Sequence, residues 1–231
     1  MEILVYPDPS SVAQAAADFI ERRARECLTQ SARFVMAVSG GHTPQPMLRA
    51  LAERVLGWER VHVFQVDERV APDGDPERNW THLQKSLGPL WARIGPRVYP
   101  MPVTHADLEA GAAEYAATLL QVTDEVGSID LVHLGLGDDG HTASLVPNDP
   151  ALRIRDRDVT VIPPYRGLAR MTLTFAAINR ARQVLWVVVG ADKHPALTRL
   201  LQGDSSIPAG LVSDDNATVI ADAAAVGGGA H

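Results

Sequence analysis

Val184-Leu185-Trp186-Val187-Val188-Val189 runs straight into Gly190-Ala191-Asp192-Lys193, and Lys193–Leu201 then carries apolar residues at three- and four-residue steps. An apolar run without alternation is a strand buried on both faces, and that needs helices on each side of a parallel sheet. Outward from this stretch the pattern repeats. Short runs rich in β-branched residues occur at Ile3–Tyr6, Phe34–Val38, Val61–Val66, Ile129–Leu134, Val159–Ile162 and Met171–Phe175. Helical periodicity occupies Ser11–Thr29, Pro46–Leu56 and Ala106–Val122, where Leu108, Ala112, Tyr115, Leu119 and Val122 share one face. Strands alternating with helices indicate an α/β fold with one mainly parallel sheet and helices on both faces. There is no internal repeat and no long linker, so residues 1–222 are expected to form a single domain. The Ala/Gly tail, 223–231, is expected to fray.

At 231 residues the chain can bury a substantial core, and 46% hydrophobic with 21% charged residues is ordinary for a folded protein. A net charge of −7 argues against a nucleic-acid partner, which needs clustered Lys and Arg. The single cysteine, Cys27, rules out an intrachain disulfide and reads as inert packing. No segment approaches the ~20 apolar residues of a membrane span. Met1–Tyr6 reads as a strand and lacks the basic start of a signal peptide, so a cytoplasmic monomer is expected.

Ligands of open α/β sheets bind at the carboxyl ends of the strands, and four loops there are rich in chemistry. Ser39-Gly40-Gly41-His42-Thr43-Pro44 follows Phe34–Val38. Its glycines can aim N–H groups at an anion and Thr43 can cap the next helix, or it is simply a well-capped turn. Asp67-Glu68-Arg69 ends the strand Val61–Val66; it is either a solvated turn or a charged cleft wall. Gly135-Leu136-Gly137-Asp138-Asp139-Gly140-His141-Thr142 fits a dinucleotide pattern, but Pro147 and Pro150 interrupt the helix that pattern requires. Its glycines instead give room around His141, which Asp139 can orient as a general base. A histidine of ordinary pKa, about 6.5, is largely neutral near pH 7, as a base must be. Arg170 and Lys193 are a strand-start and a helix-start charge. Lys193, unfavourable beside a helix N-terminus, gains from a bound anion. His133 falls in an apolar strand and reads as core. His62, His82, His105 and His194 have no partner at metal-ligand spacing, and no G-x-S-x-G elbow is present, so water is the expected nucleophile.

Taken in order, Ser39–Pro44, Val66–Arg69, Asn79, Leu134–Ala143, Arg170–Thr174 with Ile178-Asn179, and Gly190–Lys193 resemble the glucosamine-6-phosphate isomerase/6-phosphogluconolactonase superfamily. The resemblance implies a Rossmann-like single domain, no metal, no cofactor and a phosphosugar ligand. By position, Ser39, Gly40, Gly41, Thr43, Arg170 and Lys193 would hold the phosphate. His141 would be the base, oriented by Asp139, with Asp67 and Arg69 lining the reacting end. His42 lies where the family varies and is assigned only a backbone role. In the deaminase branch a Glu follows the His by five residues; here that residue is Val146, and the Thr142-Ala143-Ser144 that follows His141 matches the lactonase branch. The implied activity is hydrolysis of 6-phospho-D-glucono-1,5-lactone. The rivals are a glucosamine-6-phosphate deaminase and a non-catalytic phosphosugar sensor. The sensor is disfavoured by the retained His141 and Asp139, by the opening strand and by the lack of a helix-turn-helix segment.

Overall fold

The chain starts with β1 (Glu2–Tyr6), α1 (Pro9–Gln30), β2 (Phe34–Val38), α2 (Pro44–Ala52), β3 (Val61–Gln65) and β4 (Asp67–Arg69). Then come α3 (Asn79–Leu87), α4 (Trp91–Ile94), β5 (Val98–Tyr99), α5 (Leu108–Val122) and β6 (Leu131–Leu134). It closes with β7 (Val159–Tyr165), β8 (Leu168–Leu173), α6 (Phe175–Ile178), β9 (Val184–Val188), α7 (His194–Leu201) and β10 (Ala217–Asp222). The structure is a computed structural model that describes residues 1–54 and 56–228.

Seven strands form the central sheet in the order β1-β10-β9-β6-β2-β3-β5, every neighbouring pair parallel. This is the mainly parallel Rossmann-like α/β sheet expected from the apolar runs. β9 is buried at every residue, as its lack of alternation requires. Successive side chains separate into two cores. Leu185 and Val187 pack with α1 and α2 through Val12, Ile20, Met47 and Leu51. Val184, Trp186 and Val188 pack on the other side with Tyr115 and Leu119 of α5 and Leu197 of α7. On α5 the expected face is buried at Ala112, Tyr115 and Leu119 and half-buried at Leu108 and Val122. Helix starts follow local chemistry: the Asp8 carboxylate accepts from Ser11 N at 2.9 Å, with Pro9 in the first turn of α1. Asp107 caps α5 in the same way through Glu109 N and Ala110 N.

Three expectations change. Asp67-Glu68-Arg69 is not a loop: the chain bends after β3 and continues as β4 in a second, antiparallel sheet of order β4-β8-β7. The run Val159–Ile162 and the Met171–Leu173 part of the run Met171–Phe175 belong to this small sheet rather than to the parallel one, while Phe175 opens α6. Local sequence marks a strand but does not choose its partner. The third change is the tail. β10 lies between β1 and β9, and after it Ala223 N donates to Tyr6 O at 2.8 Å while Ala225 is fully buried. Residues 223–228 therefore turn back against the sheet, because their small side chains fit close to it; 229–231 lie outside the described residues.

From β2 the chain builds outward through β3 and β5, and β6, β9 and β10 lie on the other side of β2. The order reverses between β2 and β6, which is where α/β sheets open a crevice for ligands.

Candidate active site

A cleft of about 210 Å³ opens at that switch point. Its polar lining comes mainly from Ser39–Thr43 after β2, Asp67 and Arg69 on β4, Asn79 at the start of α3, Gly135–Asp138 and His141 after β6, Arg166 and Arg170 at the β7–β8 hairpin, and Lys193 after β9. Of the residues singled out in sequence, all but Asp139 line the cleft directly. Asp139 stands behind His141.

The loop after β6 wraps tightly around the histidine. Gly137 N donates to His141 O at 2.8 Å, and Gly140 N donates to Gly137 O at 3.1 Å. A Cβ on Gly137 would lie 2.1 Å from His141 Nδ1, so only glycine leaves space for the ring. Asp139 Oδ1 accepts from His141 N at 3.0 Å and lies 2.6 Å from its Nδ1. Its Oδ2 accepts from the Tyr165 hydroxyl at 2.7 Å. Burial pushes the Asp139 carboxyl up, but the Tyr165 O–H and the His141 backbone and ring outweigh it and hold the group down at about 2. An ionised Asp139 can only accept, so Nδ1 carries the proton and Nε2 keeps its lone pair for the cleft.

Asp67 is buried. Its Oδ2 accepts from Ser144 Oγ at 2.7 Å, and its Oδ1 accepts from Asn79 Nδ2 at 3.2 Å. Burial raises its carboxyl above the ordinary value, against the lowering pull of the Ser144 hydroxyl, Arg69 and Arg170. Glu68, between the two predicted residues, points away from the cleft. Fully buried, it pairs with Arg78 at 3.1 Å and accepts from Asn79 N and Trp80 N, each at 2.8 Å, which caps α3. Asn79 in turn approaches the anion loop: a Cβ on Gly40 would lie 2.1 Å from Asn79 Cγ.

Antiparallel pairing of β4 with β8 sets Arg69 opposite Arg170. Among the described residues neither guanidinium has a carboxylate oxygen within 4.0 Å. Arg69 Nη1 donates to Glu77 O at 2.6 Å, while Arg170 reaches only Ser144 Oγ at 3.4 Å and Tyr165 O at 3.5 Å. Burial and the neighbouring Arg69 pull the Arg170 guanidinium down from its ordinary value. Two adjacent cations with Asp67 near but no carboxylate in direct contact are suited to receive an anion. Lys193 differs from its expectation, since its Nζ already has Asp192 Oδ2 at 3.2 Å. Thr43 is also different: its backbone is already helical (φ −58°, ψ −43°) and its hydroxyl makes no capping bond, so it stays exposed at the cleft edge. Ser39 N donates to His133 O and Nδ1 at 3.2 and 3.3 Å. His133 is buried as expected of a core residue, and burial pushes it down to about 4, so it is neutral; it also borders the cleft.

Sequence reasoning missed Ser144, Tyr165 and Arg166 as site residues. Ser144 was within reach in Thr142-Ala143-Ser144. Nothing local marks Tyr165, whose contact with Asp139 spans the gap between two sheets. Asp138, Asp139 and His141 each bring one possible ligand atom within 4.8 Å of the others. Both Asp139 oxygens are engaged by protein donors and Asp138 faces Arg166 at 3.4 Å, so the trio fits proton handling better than metal binding.

Fold and site together define a Rossmann-like α/β protein with a His–carboxylate pair and paired arginines at its switch point. The profile of glucosamine-6-phosphate isomerases/6-phosphogluconolactonase matches residues 7–221, and the chain belongs to that family. It is 40% identical over 184 residues to a 6-phosphogluconolactonase of Synechocystis, covering 77% of this chain and 75% of that one. The crystal structure of a Thermotoga maritima 6-phosphogluconolactonase superposes with a TM-score of 0.85 at 28% identity, over 96% of this chain and 98% of that one. A monomeric glucosamine-6-phosphate deaminase superposes at 0.78 with 20% identity, over 99% and 100% of the two chains; that likeness extends to the fold alone.

Proposed function

We propose that the chain hydrolyses 6-phospho-D-glucono-1,5-lactone to 6-phosphogluconate by water attack assisted by His141. The chain is an enzyme of the carboxylic ester hydrolase class, in keeping with its 6-phosphogluconolactonase relatives. One observation carries the mechanism: His141, locked to an ionised Asp139 at 2.6 Å, shares one cleft with two arginines that no carboxylate contacts directly among the described residues.

His141 Nε2 takes a proton from water as the oxygen bonds to the lactone carbonyl carbon. Arg69 stabilises the tetrahedral oxyanion. As the intermediate collapses, the bond from that carbon to the ring oxygen breaks, and the imidazolium returns its proton to the leaving oxygen. Asp139 keeps the ring in the required tautomer throughout. Asp67, buried and hydrogen-bonded from two sides, acts as a holder of this wall rather than as an exchanger of protons. Ser39, Gly40, Gly41, Thr43, Arg170 and Lys193 receive the phosphate, whose binding positions the lactone over His141. General-base help of this kind is worth ~10²–10⁴-fold.

His141→Ala is expected to reduce lactone opening to the spontaneous background while 6-phosphogluconate still binds. Near-normal turnover overturns the role of His141. Ammonia release from glucosamine 6-phosphate, tested beside the lactone, overturns the substrate.

A further inference from the structure

We infer that Tyr165 is a positioning residue of this site, acting through Asp139 to set the orientation and the basicity of His141; the inference rests on the proposal that His141 is the base. Tyr165 comes from the small antiparallel sheet, not from the loop that carries the His–Asp pair. It forms the last rung of the β7–β8 hairpin, opposite Leu168. The two-residue turn between them, Arg166-Gly167, has φ of +53° and +90°. Positive φ at both turn positions suits the twist of paired strands, so the turn is tight and Tyr165 is held at its base. Arg166 adopts the left-handed conformation without being glycine, which is costly and tends to occur where surrounding structure demands it.

From this rung the Tyr165 hydroxyl donates to Asp139 Oδ2 at 2.7 Å, while the other carboxylate oxygen serves His141. The two rings meet edge to face with centroids 5.9 Å apart. Arg166 and Arg170 each place a guanidinium carbon 5.2 Å from the Tyr165 ring centroid. Asp139 therefore has two donors from His141 on Oδ1 and the Tyr165 hydroxyl on Oδ2, and the charged groups around the trio are Asp138 and Arg166 on the solvent side with Arg170 on the cleft side, Asp67 and Arg69 lying beyond it. A carboxylate that shares its charge with a phenol pulls less strongly on the proton of its histidine. Tyr165 thus tempers the charge that Asp139 presents to His141 and fixes the plane of the carboxylate.

Tyr165→Phe keeps the ring between the two arginines and removes only the O–H. The acid limb of the kcat/KM profile for lactone opening is expected to move to higher pH by about half a unit. At the alkaline plateau kcat is expected to fall ~3–10-fold from poorer orientation, with KM within about twofold. Retained inhibition by 6-phosphogluconate shows that the variant is folded. A purely structural tyrosine would lower stability or activity without moving the limb, so an unshifted limb, or one moved to lower pH, overturns the inference. His141→Asn is assayed in parallel. If it is inactive and the Tyr165→Phe limb is unshifted, the Tyr165 inference alone falls. If it turns over normally, both fall.

Discussion

Gly137→Ala tests the geometry of the site without touching a functional group. The added methyl would lie 2.1 Å from His141 Nδ1, 2.3 Å from Cε1 and 2.7 Å from Cγ. Ordinary contact for such a pair begins near 3.4 Å, so the ring or the backbone must give way by about 1.3 Å. The ring can give way only by swinging out into the cleft, off the Asp139 oxygen that holds Nδ1 at 2.6 Å, because Gly137 N is bonded to His141 O and fixes the backbone. A shift of that size breaks the Nδ1–carboxylate bond. A displacement of ~1 Å in a catalytic group costs on the order of 10²-fold, or about 2.7 kcal/mol of barrier. Overpacking costs roughly a further 1–3 kcal/mol in stability. Gly137 is not among the positive-φ residues, so alanine adds no backbone strain. Lactone opening, followed against the spontaneous reaction, is therefore expected to lose about two orders of magnitude in kcat/KM. Inhibition by 6-phosphogluconate is expected to stay within about threefold, because the anion loop is separate. A Gly137→Ala enzyme with wild-type turnover would refute both the crowding and the dependence of the reaction on His141 placement.

Arg170→Ala and Lys193→Ala are each expected to weaken 6-phosphogluconate inhibition about tenfold or more, as loss of a charged hydrogen bond does. For Arg170, which adjoins Arg69 and Tyr165, a fall in kcat with unchanged inhibition would move it from the phosphate to the reacting end. Arg78→Ala leaves fully buried Glu68 without its cation and is expected to cost about 3–5 kcal/mol, read from urea unfolding; a loss below 1 kcal/mol would contradict the buried pair. Asp67 gives a pH test. Burial raises its carboxyl above 3.8, so the folded protein holds that proton more tightly than the unfolded chain. Its contribution is then fully present below the unfolded value and is lost as pH rises through the folded one. Relative to Asp67→Asn, the wild type should lose stability from pH 4 to pH 7; a difference that is flat, or that moves the other way, would refute it.

The apolar run at 184–189 was enough to read a parallel sheet with helices on both faces, because burial on two sides removes alternation from the sequence itself. The loops after β2 and β6 were equally legible, since their glycines, hydroxyls and histidine are contiguous and belong to one strand end each. Family-specific order, from Ser39 to Lys193, pointed to the activity. Tertiary structure alone decided which strands pair. β4 and β8 lie about a hundred residues apart in the chain, and only their antiparallel register sets Arg69 beside Arg170. The hydroxyl of Tyr165 on Asp139, and that of Ser144 on Asp67, were beyond local reading for the same reason: each bond joins segments that become neighbours only when two sheets pack. Local chemistry prescribes strands, turns and loop content. Partnership depends on long-range burial, and no stretch of sequence carries that by itself.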